Sequence, residues 1–282
     1  MPDQIIKYGA SVIQHGKLND RIYVLKLKKP DFPEIIPELD QLANEKKYSK
    51  IVVKAPGWSR EKFVKHGYIE EASVPDFYNG ETDVFFLSRF VDRNRAKINP
   101  ERKQKLEQNI KLAQAKQNHS EVSELKKKFT LRQLNENDVE QLVAVYKQVF
   151  DSYPFPIFNP DYLISTMKQN IIYFGAFDAE RLVAASSAEM DEASQNVEMT
   201  DFATLPEYRG NSLAIHLLRK MEQAMGQRKM HLLYTIARAQ SPGMNITFAK
   251  SGYEFSGTLV NNTNISGRIE SMNVWYKKVA VE

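Results

Sequence analysis

The chain has 282 residues, a formal net charge of +4 and 42% apolar residues. It exceeds the usual ~100 to 200 residue domain, and its core material is ample, so two folded domains are expected. The absence of cysteine excludes a disulfide framework, a thiolate nucleophile and a zinc site built on sulfur, and it points to a reducing cytoplasm. No segment approaches the ~20 apolar residues of a membrane span, and the start MPDQIIKYGASVIQHGK lacks an apolar signal core, so a soluble protein without a membrane partner is expected.

Residues 1–92 contain a helix-like IIPELDQLANEKK, a strand-like KIVVKA, the segment WSREKFVKHGY and a strand-like TDVFFLSRFV. Residues 93–128 then hold 11 Lys or Arg against 4 Asp or Glu, a local +7 that leaves −3 for the rest. Within them Asn99-Pro100-Glu101 is a helix start, and Leu106, Ile110 and Ala113 recur at helical spacing. There is no aromatic interleaving for base stacking, so this stretch reads as a solvated connecting helix and no nucleic-acid partner is expected. The expected division is 1–92, a linker at 93–128, and 129–282.

In the last segment, TLRQLNENDVEQLVAVYKQVF predicts a strand and a helix capped at Asn135 or Asn137. The loop SYPFPIF (152–158) follows. IIYFGAFDAERLVAASSAEM predicts two strands joined through Asp178 to Arg181, and NVEMTDFATL a third. Leu213, Leu217, Met221 and Met225 share one face of a helix that begins after PEYRGNS. HLLYTIA is a buried strand, Asn245 to Lys250 a short helix closed by Gly252, and ESMNVWYKKV a closing strand. The order is mixed α/β. A strand, a turn of small residues and a helix meet at LPEYRGNSLAIHLL, where free backbone N–H groups, the helix dipole and Arg209 favour an anion such as a pyrophosphate.

The stretch VEMTDFATLPEYRGNSLAIHLL resembles the signature of the GNAT superfamily of acetyl-CoA-dependent N-acetyltransferases, in which V-x-P-x-Y-R-G runs into an R/Q-x-x-G-x-G/A loop. Here the loop is Arg209, Gly210, Asn211, Ser212, Leu213 and Ala214; Thr204-Leu205-Pro206 stands where V-x-P is common, and Ser212 replaces a motif glycine. The resemblance extends to Asn245 with FAKSGY and covers 129–282. It implies an acetyltransferase fold and acetyl-CoA as co-substrate, held by the loop and Asn245. The N–H groups of Phe202, Ala203 and Thr204 would polarise the thioester carbonyl. Phe248 stands where many members carry a tyrosine acid, so that role cannot fall to residue 248. No metal is expected; the five histidines show no ligand spacing.

The phrase F-x-K-x-G-Y occurs twice, as FVKHGY at 63–68 and as FAKSGY at 248–253. The elements around both copies follow in the same order. Residues 1–92 are thus expected to be a partial, degenerate copy of the acetyltransferase's second half, lacking the strand and loop that would hold CoA, and serving as a lid or as a surface for a possible homodimer.

An amine with pKa ~10.4 must lose a proton before attacking a thioester. Glu198 sits where some family members place the base. Strand alternation puts Glu198, Thr200 and Phe202 on one face and Asp201 on the other, so only one of the two acids should face the substrate. Tyr153, Phe155 and Phe158 are expected to line the acceptor site. The whole-chain layout is similar to that of β-lysine N-acetyltransferases, which implies acetylation of the side-chain amine of L-β-lysine to give a compatible solute. Glu189, Asp201 and Arg181 are candidates for holding such a zwitterionic diamine. Three other readings stay open: a polyamine or protein amino terminus as acceptor, a non-catalytic CoA-binding module, and a nucleic-acid binder acting through 93–128.

Overall fold

A computed structural model describes residues 3–117 and 123–279. The part of the expected linker at 118–122 lies outside the described residues. Two mixed sheets organise the rest, each with antiparallel pairs and a single parallel pair. The seven-stranded sheet runs in the order β12 (Glu254–Ile265), β13 (Arg268–Lys278), β11 (Leu232–Arg238), β10 (Asn196–Thr204), β9 (Arg181–Asp191), β8 (Ile171–Asp178) and β7 (Phe129–Gln133). The six-stranded sheet runs β1 (Gln4–Tyr8), β2 (Ser11–Gly16), β3 (Arg21–Lys26), β4 (Lys50–Pro56), β6 (Thr82–Phe90) and β5 (Ile69–Tyr78).

Strands β8 and β9 are buried along nearly their whole length, as expected of strands covered on both faces. Their cover includes α4 (Val139–Val149), α5 (Pro160–Gln169) and α6 (Leu213–Gln227), whose apolar stripes join the same core. The start of α4 is pinned by a capping box. The Asn135 side chain and Asp138 satisfy each other's backbone N–H groups, and Arg132 grips Asp138 through two bonds of 2.7 Å. Helix α5 was not read from the sequence, although Asn159 caps it and Pro160 opens it; the preceding run of prolines and aromatics masked those signals.

The repeated phrase has a common physical meaning. In each copy the phrase closes a short helix, α2 (Arg60–Lys65) or α7 (Pro242–Lys250), and its glycine takes a left-handed conformation, with φ +81° at Gly67 and +82° at Gly252. In each the aromatics fold back on one another: Phe63 meets Tyr68 at 5.0 Å and 67°, and Phe248 meets Tyr253 at 5.1 Å and 69°. All four rings are buried. The likeness is wider than the sequence reading held. With α1 (Ile35–Lys46), the first sheet runs β1-β2-β3-β4-β6-β5 just as the second runs β8-β9-β10-β11-β13-β12. The strand expected to be missing before α1 is present as β3, parallel to β4.

The sheets meet where their edge strands β5 and β12 lie side by side. Ser256 Oγ accepts from Ser73 N at 2.9 Å and donates to Ser73 O at 2.5 Å. Glu71, on β5, accepts from Val260 N at 2.7 Å, from the fully buried Lys50 at 2.7 Å, and from Ser88 Oγ. Lys50 also donates to Val260 O at 2.8 Å. A Cβ on Gly257 would stand 2.1 Å from Glu71 O, so close backbone approach requires glycine there. A core cluster shared by the two halves, including Val74, Phe86, Leu259 and Val274, seals the junction.

The helix α3 (Pro100–Gln114) is exposed along most of its length, yet one side of it is docked. Leu106, Asn109 and Ala113 are buried where it packs on α7, and Asn109 donates to Ala239 O at 3.1 Å. Arg95, counted among the basic run, is spent internally on Asn261 O and Asn19 O, both at 2.7 Å. Removing one partner of a buried ion pair strands the other charge. Glu71→Ala is therefore expected to destabilise the protein by about 3–5 kcal/mol in urea unfolding, with part of the loss recovered when Lys50→Met is added.

Candidate active site

Strands β10 and β11 are parallel and paired only where Asn196–Glu198 face Leu232–Tyr234. Beyond Glu198 they part, while β11 stays paired with β13 as far as Arg238. On its other side β10 carries a bulge: the register against β9 shifts between Thr200 and Ala203, and Asp201 takes φ +54°. A bulge inserts one residue and resets the alternation of faces. This overturns the expectation that Glu198 and Asp201 point to opposite sides, since both line the same cavity. Ala203 and Thr204 resume pairing with Ala185 and Ala184 of β9, and the Phe202 ring packs edge-on against Phe248 at 5.5 Å.

The cavity has a volume of about 930 Å³ and lies between the two halves. Tyr23, Lys54 and Phe77 come from the first half; Tyr153, Phe155, Glu189, Glu198, Asp201 and Tyr234 come from the second. Glu189 is the cross-strand partner of Glu198. Tyr153 Oη and Ser187 Oγ both donate to Asp201, the latter at 2.5 Å. Lys54 Nζ donates to Tyr234 Oη at 2.9 Å, and the Tyr234 hydroxyl bonds Glu198. A chain of polar contacts thus joins a strand of the first half to a carboxylate of the second.

Burial makes all three carboxyls harder to ionise. It pushes Glu189 up to about 7, with the charge of Glu198 adding and Lys54 opposing. Glu198 is also raised by burial, against Lys54 and the Tyr234 hydroxyl; Asp201 is raised by burial, against the Ser187 and Tyr153 hydroxyls. Glu189 keeps much of its surface accessible even though protein crowds it, because the space it faces is the cavity.

Of the other expected acceptor residues, Phe158 packs against the core of the second half and Ile157 takes a place on the wall. Arg181 is not on the wall. It sits at the β8–β9 turn, ion-paired with Glu207 at 2.8 Å and lying over the Tyr208 ring. Lys54, Tyr23 and Tyr234 were not singled out from the sequence. No local signal marks them, since only the docking of the sheets brings them to Glu198.

The loop Arg209–Ala214 leads into α6. Arg209, Gly210 and Ser212 are exposed, Gly210 has φ +80°, and Ser212 has φ +58° in the position of the motif glycine. A smaller cavity of about 350 Å³ lies beside it, lined by Ser212, Ala214 and Ile215 with Ile246, Thr247 and Lys250 of α7. A left-handed turn before a helix N-terminus, with Arg209 and Lys250 nearby, suits a diphosphate. Asn245 does not belong to this surface. It is wholly buried, donates to Arg238 O and Ser241 O, and accepts from Asn273 and Trp275, both at 2.8 Å. Its hydrogen-bonding capacity is filled by protein, so it ties α7 to β11 and β13.

A mixed sheet parted at its parallel pair, with an anion-suited loop at the parted end and buried acids below, defines an acyltransferase of the GNAT type. The GNAT acetyltransferase family matches residues 137–253, and the chain belongs to that family as an N-acetyltransferase. It is 45% identical over 277 residues, 98% of either chain, to beta-lysine N(6)-acetyltransferase of Methanococcus maripaludis. It is 32% identical to the beta-lysine N(6)-acetyltransferase of Methanosarcina mazei, covering 86% of this chain and 96% of that one. It is likewise 32% identical to N-acetyltransferase YodP of Bacillus subtilis, over 95% and 96%. The similarity includes the first sheet.

A cationic amine binds best beside an ionised carboxylate. With Glu189 pushed up to about 7 by burial, its ionised fraction grows between pH 6 and 8, and the KM for an amine substrate should fall by about tenfold over that range. In Glu189→Gln that fall should vanish; initial-rate kinetics across this range test it.

Proposed function

We propose that the protein acetylates the side-chain amine of L-β-lysine, using acetyl-CoA, to form Nε-acetyl-β-lysine. The observation that carries the reading is the composition of the cavity. Among the charged groups on its wall, Glu189, Glu198 and Asp201 of the second half and Lys54 of the first converge with no direct ion pair between them, and they match a small acceptor with two amines and one carboxylate. The names of two full-length relatives support the same acceptor. The product keeps a zwitterion and loses its extra positive charge, which is the chemistry of a compatible solute made in the cytoplasm.

Acetyl-CoA supplies an acetyl group activated as a thioester. The loop Arg209–Ala214 would hold its diphosphate at the N-terminus of α6, and backbone N–H groups in Phe202 to Thr204 would polarise its carbonyl. Asp201, with Tyr153 and Ser187 fixing its carboxyl, holds the incoming ammonium at the parted end of β10. Glu198, one step back along β10, takes the proton that the amine must lose, relayed through water. Its burial raises its basicity toward the working range of such a base. Residue 248 is phenylalanine and has no proton to give, so the C–S bond breaks with CoA leaving as the thiolate, which a thiol pKa of ~8.5 makes feasible. The first half, with the same strand order as the acetyltransferase core, acts as a degenerate copy that forms one wall of the acceptor cavity rather than a second catalytic unit.

The test is thiol release from acetyl-CoA with L-β-lysine, L-lysine, spermidine and a short peptide. The expected result is the highest kcat/KM for L-β-lysine, with the product acetylated on the side-chain amine. A preference for spermidine or the peptide would assign a different acceptor, and CoA binding without turnover would leave a binding module. Glu198→Gln should lower kcat by about 100-fold or more while CoA affinity stays unchanged.

A further inference from the structure

The cations on the cavity wall differ in what they already hold. Lys26 is ion-paired with Asp191 at 3.0 Å. Arg21 donates to Asn262 O at 2.7 Å, to Thr263 Oγ1 at 3.0 Å and to Gln14 Oε1 at 3.4 Å. Arg21 is buried and occupied by these neutral groups, while Lys28 and Lys29 are exposed, the latter lying over the Trp58 ring. Lys54 is the half-buried lysine that makes no direct ion pair among the described residues: its ammonium bonds the Tyr234 hydroxyl, with the ring centroid at 5.3 Å, and its charge acts on Glu189 and Glu198 without touching either. A half-buried lysine that faces the cavity and makes no direct ion pair keeps donors free to receive an anion from a ligand.

The sheet register orders the rest of the cavity. Thr200 pairs with Ser187, and Glu198 with Glu189, one step further from the parted end of β10. The step is ~7 Å along the strand. Lys54 lies at the Glu198 level, through Tyr234. An acceptor reaching the parted end with a reactive amine beside Asp201 would carry its second ammonium past Glu189 and its far end to Lys54.

We propose that Lys54 anchors the carboxylate of the acceptor, so that a side chain of the first half makes the active site of the second half select an amino acid over a simple diamine. This rests on the reading of L-β-lysine as acceptor. It also gives the first half a definite task, since β4 delivers the one group that recognises the acid end of the substrate.

The alternative is that Lys54 only positions Tyr234 and, through it, Glu198. The two roles separate on 1,4-diaminopentane, which is L-β-lysine without its carboxylate. The unmodified enzyme should favour L-β-lysine by about 100-fold in kcat/KM. In Lys54→Met, kcat/KM should fall by about 100-fold more for L-β-lysine than for 1,4-diaminopentane, mainly through KM, the diamine reporting whatever the loss of Lys54 does to Tyr234, Glu198 and Glu189. Lys54→Arg, which keeps the charge, should retain most of the preference, and Tyr234→Phe should keep the preference whatever it does to kcat. Equal losses on both substrates in Lys54→Met, or no loss on L-β-lysine, would overturn the anchor while leaving the acceptor intact. An unmodified enzyme that turns over another amine but not L-β-lysine would overturn the acceptor and the anchor with it. A melting temperature within a few degrees of the unmodified enzyme, measured for each variant, separates loss of folding from loss of recognition.

Discussion

Everything in the second half depends on the parting of β10 from β11. A parallel pair is held by evenly spaced, slanted backbone bonds, and here those bonds run for three residue pairs and stop at Glu198. The bulge at Asp201 turns β10 at that point, with a left-handed residue that only a well-determined surrounding would hold. The parting leaves β10 backbone facing open space, directs the strand into the loop before α6, and brings two acids to one wall. An unbroken sheet with regular alternation would bury one of those acids on the wrong face.

The other wall depends on the way two similar sheets are joined. Exposed sheet edges invite unwanted pairing, and this chain covers two of its own edges by setting β5 against β12. The contact is held by backbone approach at Gly257 and by the Glu71 carboxylate, which collects a lysine, a serine and a backbone amide of the facing strand. With that edge fixed, β3 and β4 of the first half overhang the second half's acids. The two halves share a strand order, yet the loop suited to a diphosphate belongs to the second. A duplicated architecture has thus been put to two uses, one as scaffold for chemistry and one as wall.

The electrostatics of the cavity follow from the same enclosure. Burying carboxyls without a full complement of ion pairs costs stability, and the protein tolerates it at Glu189, Glu198 and Asp201. Hydroxyls of Tyr153, Ser187 and Tyr234 offset part of that cost without neutralising the acids. The result is a set of groups whose affinity for protons lies nearer neutrality than in water, which is where a base or an ammonium partner works best.

Several features were legible in the residues because they are settled by near neighbours. The F-x-K-x-G-Y phrase specifies a helix end, a left-handed glycine and an aromatic pair within six positions, and it does so twice. The small-residue turn before α6 and the helical face of Leu213, Leu217, Met221 and Met225 are likewise local. Alternation places Asp201 on the wrong face because it assumes an unbroken strand, and a bulge is decided by the partner strand and by what packs around it. The motif around Asn245 points to the cofactor, but its partners Asn273 and Trp275 come from a strand later in the chain. Lys54 and Tyr234 had no sequence signal at all. Local hydrogen bonding and capping determined the elements and the anion loop, whereas the acceptor cavity was decided by sheet register and by the docking of two halves. Those contacts join residues far apart in the chain, and no short pattern records them.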